Sequence, residues 1–115
     1  MCSSDLQRED QAVALYERAI ELYEGVKPPR LEEASELHNN LAMIYKSLGR
    51  HPLAEQHYLR ALETLENRRG RESESVACVF NNLGSLYYAA GFPEQAKEML
   101  EDGLKIRIKI GRAHV

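Results

Sequence analysis

Three internal histidines, one internal cysteine and several close carboxylates are the side chains of this 115-residue chain with reactive potential, His114 and Cys2 lying at its two ends. His38, His51 and His57 show no metal-ligand spacing with one another or with Cys78. His38 falls where a large side chain would pack, so partial burial is its expected role. Cys78 sits in an apolar stretch with no cation beside it to stabilise a thiolate, and it reads as a small hydrophobe. Glu32-Glu33 and the Glu72/Glu74 pair read as first-turn acids complementing a helix dipole, not as an acid/base couple. No glycine-rich phosphate loop occurs. Tyr87-Tyr88 suggests stacking on bases, but Tyr87 belongs to an apolar pattern. No catalytic residue, metal set or cofactor is expected. The polar pattern that remains is amide: Asn39-Asn40 and Asn81-Asn82, each inside an apolar run. An Asn side chain offers two donors and an acceptor oxygen, so it can pair with both the N–H and the C=O of an extended peptide. That chemistry is binding.

Those asparagines belong to an internal repeat. Asn39-Asn40-Leu41-Ala42-Met43-Ile44-Tyr45 recurs as Asn81-Asn82-Leu83-Gly84-Ser85-Leu86-Tyr87, offset by 42 residues. The same offset carries Ala54, Tyr58, Ala61 and Leu62 onto Ala96, Leu100, Gly103 and Leu104, and backwards onto Ala12, Tyr16, Ala19 and Ile20. A fixed period of this size predicts stacked helical hairpins. Five helices can be read. The first covers 6–24, with Ala12, Leu15, Tyr16, Ala19, Ile20 and Tyr23 at helical spacing, and ends at Gly25 and Pro28-Pro29. The second covers 31–48 and is capped by Gly49. The third opens at Pro52, where the missing N–H costs nothing, and reaches Glu66. The fourth starts near Ser73 and stops before Gly91; the fifth runs from Pro93 to Ile108. Short turns at Gly49–His51 and Gly91–Phe92 force antiparallel neighbours. The expected domain is thus 7–109: a trailing helix over 7–24, then hairpins over 31–66 and 73–108, about two and a half repeats.

The pattern of large residue, Leu, small residue, Tyr, then Ala and an aromatic resembles the tetratricopeptide family. It reads Phe80, Leu83, Gly84, Tyr87, Ala96, Leu100 in the later copy and His38, Leu41, Ala42, Tyr45, Ala54, Tyr58, Ala61 in the earlier one. The family's usual period is about 34 residues. The longer period here, with the Asn-Asn-Leu-Ala run, is similar to the kinesin light chain subclass. His38, Leu100 and Gly103 depart from the family's usual aromatics and Ala. The resemblance implies an all-α, right-handed superhelical stack of antiparallel hairpins. It also implies a scaffold that binds a protein or peptide segment in a concave groove lined by the leading helices. Small residues at Ala42, Gly84, Ala54, Ala61 and Ala96 would let helices approach closely. Leu41, Ile44, Tyr45 and Leu48 form one core stripe, repeated by Leu83, Leu86, Tyr87 and Ala90.

Opposite that core lie Asn39, Met43 and Lys46, bordered by Asn40 and Ser47. In the fourth helix the same stripe is Asn81, Ser85 and Tyr88, bordered by Asn82 and Ala89. The expected groove is therefore Asn39, Asn40, Met43, Lys46, Asn81, Asn82, Ser85 and Tyr88, with the second asparagine of each pair the stronger candidate. The other role open to these amides is bridging neighbouring repeats. Chaperone-binding members hold a terminal carboxylate with Lys and Arg; Asn39, Met43, Asn81 and Ser85 occupy such positions here, which disfavours that subtype.

Net charge is −3, a poor footprint for nucleic acid. The basic cluster Arg68-Arg69-Gly70-Arg71 is flanked by Glu66, Glu72 and Glu74 and reads as a solvated turn. A hydrophobic fraction of 43% supports a packed core, and no apolar run approaches the roughly 20 residues that span a bilayer. Cys78 has no internal disulfide partner, which fits a reducing, cytoplasmic setting. Residues 1–6 and 110–115 lie outside the repeat and resemble the two translated sides of a sequencing-library adapter; ATC GGA AGA GCA CAC GTC encodes Ile-Gly-Arg-Ala-His-Val. They are read as non-native tails on a piece of a longer array, with self-association expected through exposed repeat ends, where the last helix is expected to expose Ile106 and Ile108. The alternatives are the scaffold part of a larger signalling ATPase or enzyme, and an RNA-reading helical repeat, which the acidic balance disfavours.

Overall fold

The computed structural model describes residues 3–113, with side chains from Arg8 to Arg112. Met1, Cys2, His114 and Val115 of the two expected tails lie outside these residues. The described chain forms α1 (Ser3–Gly25), α2 (Leu31–Ser47), α3 (His51–Arg69), α4 (Glu74–Ala89) and α5 (Pro93–Ala113). Each helix packs on the next in the chain, so α2–α3 and α4–α5 are the two expected hairpins and α1 is the trailing helix before them. α3 and α5 run further than expected, to Arg69 and Ala113, because nothing before Gly70 or within 109–113 except Gly111 opposes helix.

Local chemistry sets the boundaries. Gly49 and Gly91 adopt φ of 76° and 92°, which L side chains resist. At the first, Gly49 N–H donates to Lys46 and Arg50 N–H donates to Tyr45; at the second, Gly91 pairs with Tyr88 and Phe92 with Tyr87. Both ends are Schellman motifs, and the same capping geometry turns each leading helix into its trailing partner. α4 opens on Ser73, whose Oγ accepts from Val76 N–H at 3.3 Å.

Packing follows the repeat. Ala42, Ala54 and Ala61 are fully buried and Ala96 is 1% exposed. A Cβ on Gly84 would lie 2.6 Å from Leu100 Cγ, and one on Gly103 would lie 3.2 Å from the Ala77 carbonyl oxygen. The glycine standing for the family's Ala at position 103 therefore marks a closer α4–α5 approach. Leu41, Leu83, Leu86, Val76 and Tyr58 are buried at the centre; burial pushes the Tyr58 hydroxyl pKa up to about 12.

Three expectations fail on helical phase. Leu15 is 69% exposed, because α1 buries Val13 and Ile20, with Tyr16 packed beside them. Ile106, expected to be exposed, is buried. It continues the inner row of Ala96, Met99 and Gly103, whereas Leu100, Leu104 and Ile108 form the outward row. Cys78, expected to pack as a hydrophobe, is exposed, since α4 turns Val76, Ala77, Val79 and Phe80 inward around it.

Candidate functional site: the open face of α2 and α4

Helical phase places Glu36, Asn39, Met43 and Lys46 on one face of α2 and Cys78, Asn81, Ser85 and Tyr88 on the matching face of α4. Glu36 and Cys78 were not among the expected groove residues; their signal was the continuation of the asparagine rows by one turn, three residues upstream. Between the two faces lies an open furrow of about 230 Å³ lined by Met43, Lys46, Ser47, Tyr58, Asn82 and Ser85. The fold thus brings together four of the eight expected residues there. Asn82 Nδ2 donates to Asn39 Oδ1 at 3.1 Å across the repeat boundary, and Lys46 Nζ donates to Ser85 Oγ. These two bonds tie α2 to α4 at either end of the furrow.

The other four are placed differently. Asn39 borders the furrow through its bond to Asn82. Asn40 and Asn81 are exposed, with no side-chain hydrogen bond among the described residues. The repeat offset explains why: Asn40 is the counterpart of the donor Asn82, and Asn81 the counterpart of the acceptor Asn39. Tyr88 is 74% exposed. It lies instead over an apolar hollow on the outer side of α5, with Ala96, Leu100 and Leu104.

Behind this face, two phenols anchor the leading helices to the preceding trailing ones. Tyr45 donates to Glu17 at 3.1 Å and Tyr87 to Glu55 at 2.6 Å. Burial, reinforced by the Glu17 carboxylate, raises the Tyr45 hydroxyl pKa. The same causes, with Glu55 as the carboxylate, carry Tyr87 to about 12. The basic loop also has an anchoring role. Its side chains are exposed, as expected, but Arg69 reaches Glu32 and Ser75, while Arg71 pairs with Glu66 at 2.7 Å and lies 5.0 Å over the Phe80 ring.

His38 is 7% exposed, in keeping with its packing position. The sequence did not predict its partner. His38 Nδ1 lies 2.8 Å from His57 Nδ1, so the rings meet edge to edge with centroids 5.0 Å apart and planes 28° from parallel. His38 Nε2 lies 3.0 Å from Glu24 Oε2, and the Tyr45 ring lies near-parallel to His57 with centroids 5.5 Å apart. Burial first, and His38 second, lower the His57 pKa.

Known proteins give this architecture a family. A family model described as "Tetratricopeptide repeat" matches residues 33–109, and a second one of the same description matches residues 1–25. The crystal structure of BtubC (BKLC) from P. vanneervenii, a kinesin light chain-like protein, is similar at a TM-score of 0.82 and 38% identity over 90% of this chain. The chain spans 41% of that protein's length. No curated protein matches. With the 42-residue period, the small-residue helix contacts and the stacked hairpins, these matches show that the chain belongs to the tetratricopeptide repeat family.

Proposed function

We propose that the open face of α2 and α4 is a concave groove that grips an extended segment of a partner protein, within a longer tetratricopeptide array. Tetratricopeptide repeats generally mediate protein–protein interaction. The supporting observation is the Asn39–Asn82 amide pair beside the furrow. Each amide uses one group on the other, so Asn82 Oδ1 and the Asn39 Nδ2 hydrogens keep capacity for a peptide N–H and C=O. Asn40 and Asn81 would repeat this arrangement at the flanking positions. Met43 supplies adaptable apolar contact inside the furrow, Tyr88 would meet a segment that runs on past the furrow over α5, and Lys46 favours an acidic group. The groups on this face are amides, a thioether, hydroxyls, a thiol, a carboxylate and an ammonium at ordinary helical spacing, which suits recognition better than catalysis. The net charge of −3 favours a protein over a nucleic acid partner. Among the described residues no helix is long and apolar enough to cross a membrane, and we place the domain in the cytoplasm.

The test is selection of binders from a peptide library, followed by measured affinities. Asn39→Ala and Asn82→Ala should each weaken binding by about 0.5–1.5 kcal/mol, the net worth of a neutral hydrogen bond. The double variant should cost less than the sum, because the two amides act as one unit. Tyr88→Ala should cost more than either if its ring packs on the ligand. Unchanged affinity in all of these variants would move the binding surface to the outer face or to the loops near Pro28 and Gly70.

A further inference from the structure

The 42-residue offset supplies an internal control for the buried histidines. It carries His38 onto Phe80 and His57 onto Met99, and in the α4–α5 hairpin those two side chains belong to the apolar core. The fold is therefore satisfied by hydrocarbon and thioether at these positions. In the α2–α3 hairpin the same place holds two titratable rings in direct contact.

Their protonation is constrained by geometry. With both rings neutral, His38 must keep its proton on Nε2 to face the Glu24 carboxylate, because a bare nitrogen there would oppose an acceptor. Its Nδ1 then accepts, and His57 donates from Nδ1. One added proton is accommodated. An imidazolium at His38 donates through both nitrogens, to Glu24 and to His57, while His57 shifts its own proton to Nε2. A second proton is not accommodated. Both Nδ1 atoms would then carry hydrogen at 2.8 Å, with no acceptor between them and like charges in adjoining rings.

We propose that His38 and His57 form a proton-operated latch inside the α2–α3 hairpin, closed while the pair carries at most one added proton and forced apart by the second. The charges facing the pair come from each neighbouring element. α1 presents Glu24 and Glu17, α2 presents the phenol of Tyr45, and α3 presents Arg60, which also reaches Glu24 at 3.4 Å. Glu24 and Glu17 favour the first proton, whereas Arg60 and the neighbouring imidazolium oppose the second. The lowered His57 pKa agrees with that order. Because Asn39 follows His38 directly and Tyr45 stacks on His57, opening the latch loosens α2, the helix that carries half of the open face.

The sign follows from linkage. A folded-state pKa held below the unfolded one means that the unfolded chain takes up the proton first. Stability is then full above the unfolded histidine value of about 6.5 and is lost as pH falls through the folded one. The ring resonances of His57 in the intact chain, followed by NMR from about pH 8 to about pH 5, should titrate below the ordinary histidine value of about 6.5. Backbone signals of Tyr45 and Ala61 should move with that step. The unfolding equilibrium constant should rise by up to about tenfold for each pH unit below the unfolded value. In the double variant His38→Phe/His57→Met, which installs the neighbouring repeat's pair, that rise should vanish. Titration of His57 at the ordinary value of about 6.5, or equal acid sensitivity of wild type and double variant, would overturn the latch. Should the double variant fail to fold, the resonances of the native chain decide alone.

Discussion

At Asn82 one amide donor is committed to Asn39, so its counterpart in the preceding repeat, Asn40, is a matching donor with its side chain left open. Asparagine lowers helix propensity by several tenths of a kcal/mol relative to Ala; the cross-repeat bond offsets that cost at Asn82 and Asn39. Single-residue chemistry also fixes the turns. Replacing Gly49, at φ 76°, with Ala should destabilise the chain by about 1–2 kcal/mol, read as a lowered urea midpoint. The buried phenols carry a second expectation. The Tyr58 and Tyr87 pKa values are raised to about 12, so their contribution to stability is full below the unfolded value of about 10 and is lost as pH rises through 12. Ultraviolet titration should therefore show Tyr58 and Tyr87 ionising late, with Tyr45 also displaced above the ordinary value, together with loss of helical circular dichroism. Ionisation of all six at the ordinary value would contradict this.

Within the hairpins, tolerance is decided by which face of the helix a position occupies. Ala54 and Ala96 sit against the leading helix of their own hairpin with almost no exposure. Replacing either with Leu should destabilise by about 1–3 kcal/mol, since overpacking separates the helices. Replacing the exposed Glu63 or Glu98 with Ala should change stability by about 0.5 kcal/mol or less. Chemical denaturation midpoints distinguish the two classes. Element existence was legible because Gly49, Gly91, Pro52, Pro93 and Ser73 carry their boundary chemistry in their own side chains, or in the lack of one. The phase of Cys78, Leu15 and Ile106 was not. Each lies in a helix whose apolar residues are too many for one narrow stripe, and the packed partner selects which of them turn inward.

Across the whole molecule, apolar rows remain open at both ends of the stack: Leu15 and Leu22 on α1, and Leu100, Leu104 and Ile108 on α5. Self-association of this chain through those rows is the expected outcome at high concentration. Sedimentation should show a mass that rises with concentration and falls back when Leu104 is replaced by Lys. A strictly monomeric mass, with a concentration-independent thermal transition, would contradict it. The sequence by itself determined the hairpin count, the turns, the small-residue contacts and the two asparagine rows, because a repeat writes each of these twice and a local period of 3.6 residues needs no knowledge of partners. Only the tertiary structure decided which amides meet, that Tyr88 stands over α5, and that His38, His57 and Glu24 form one cluster. His38 is 19 residues from His57 and 14 from Glu24 in the chain. Their meeting depends on how α1, α2 and α3 rotate about their own axes when they pack, and no local pattern of residues encodes that rotation.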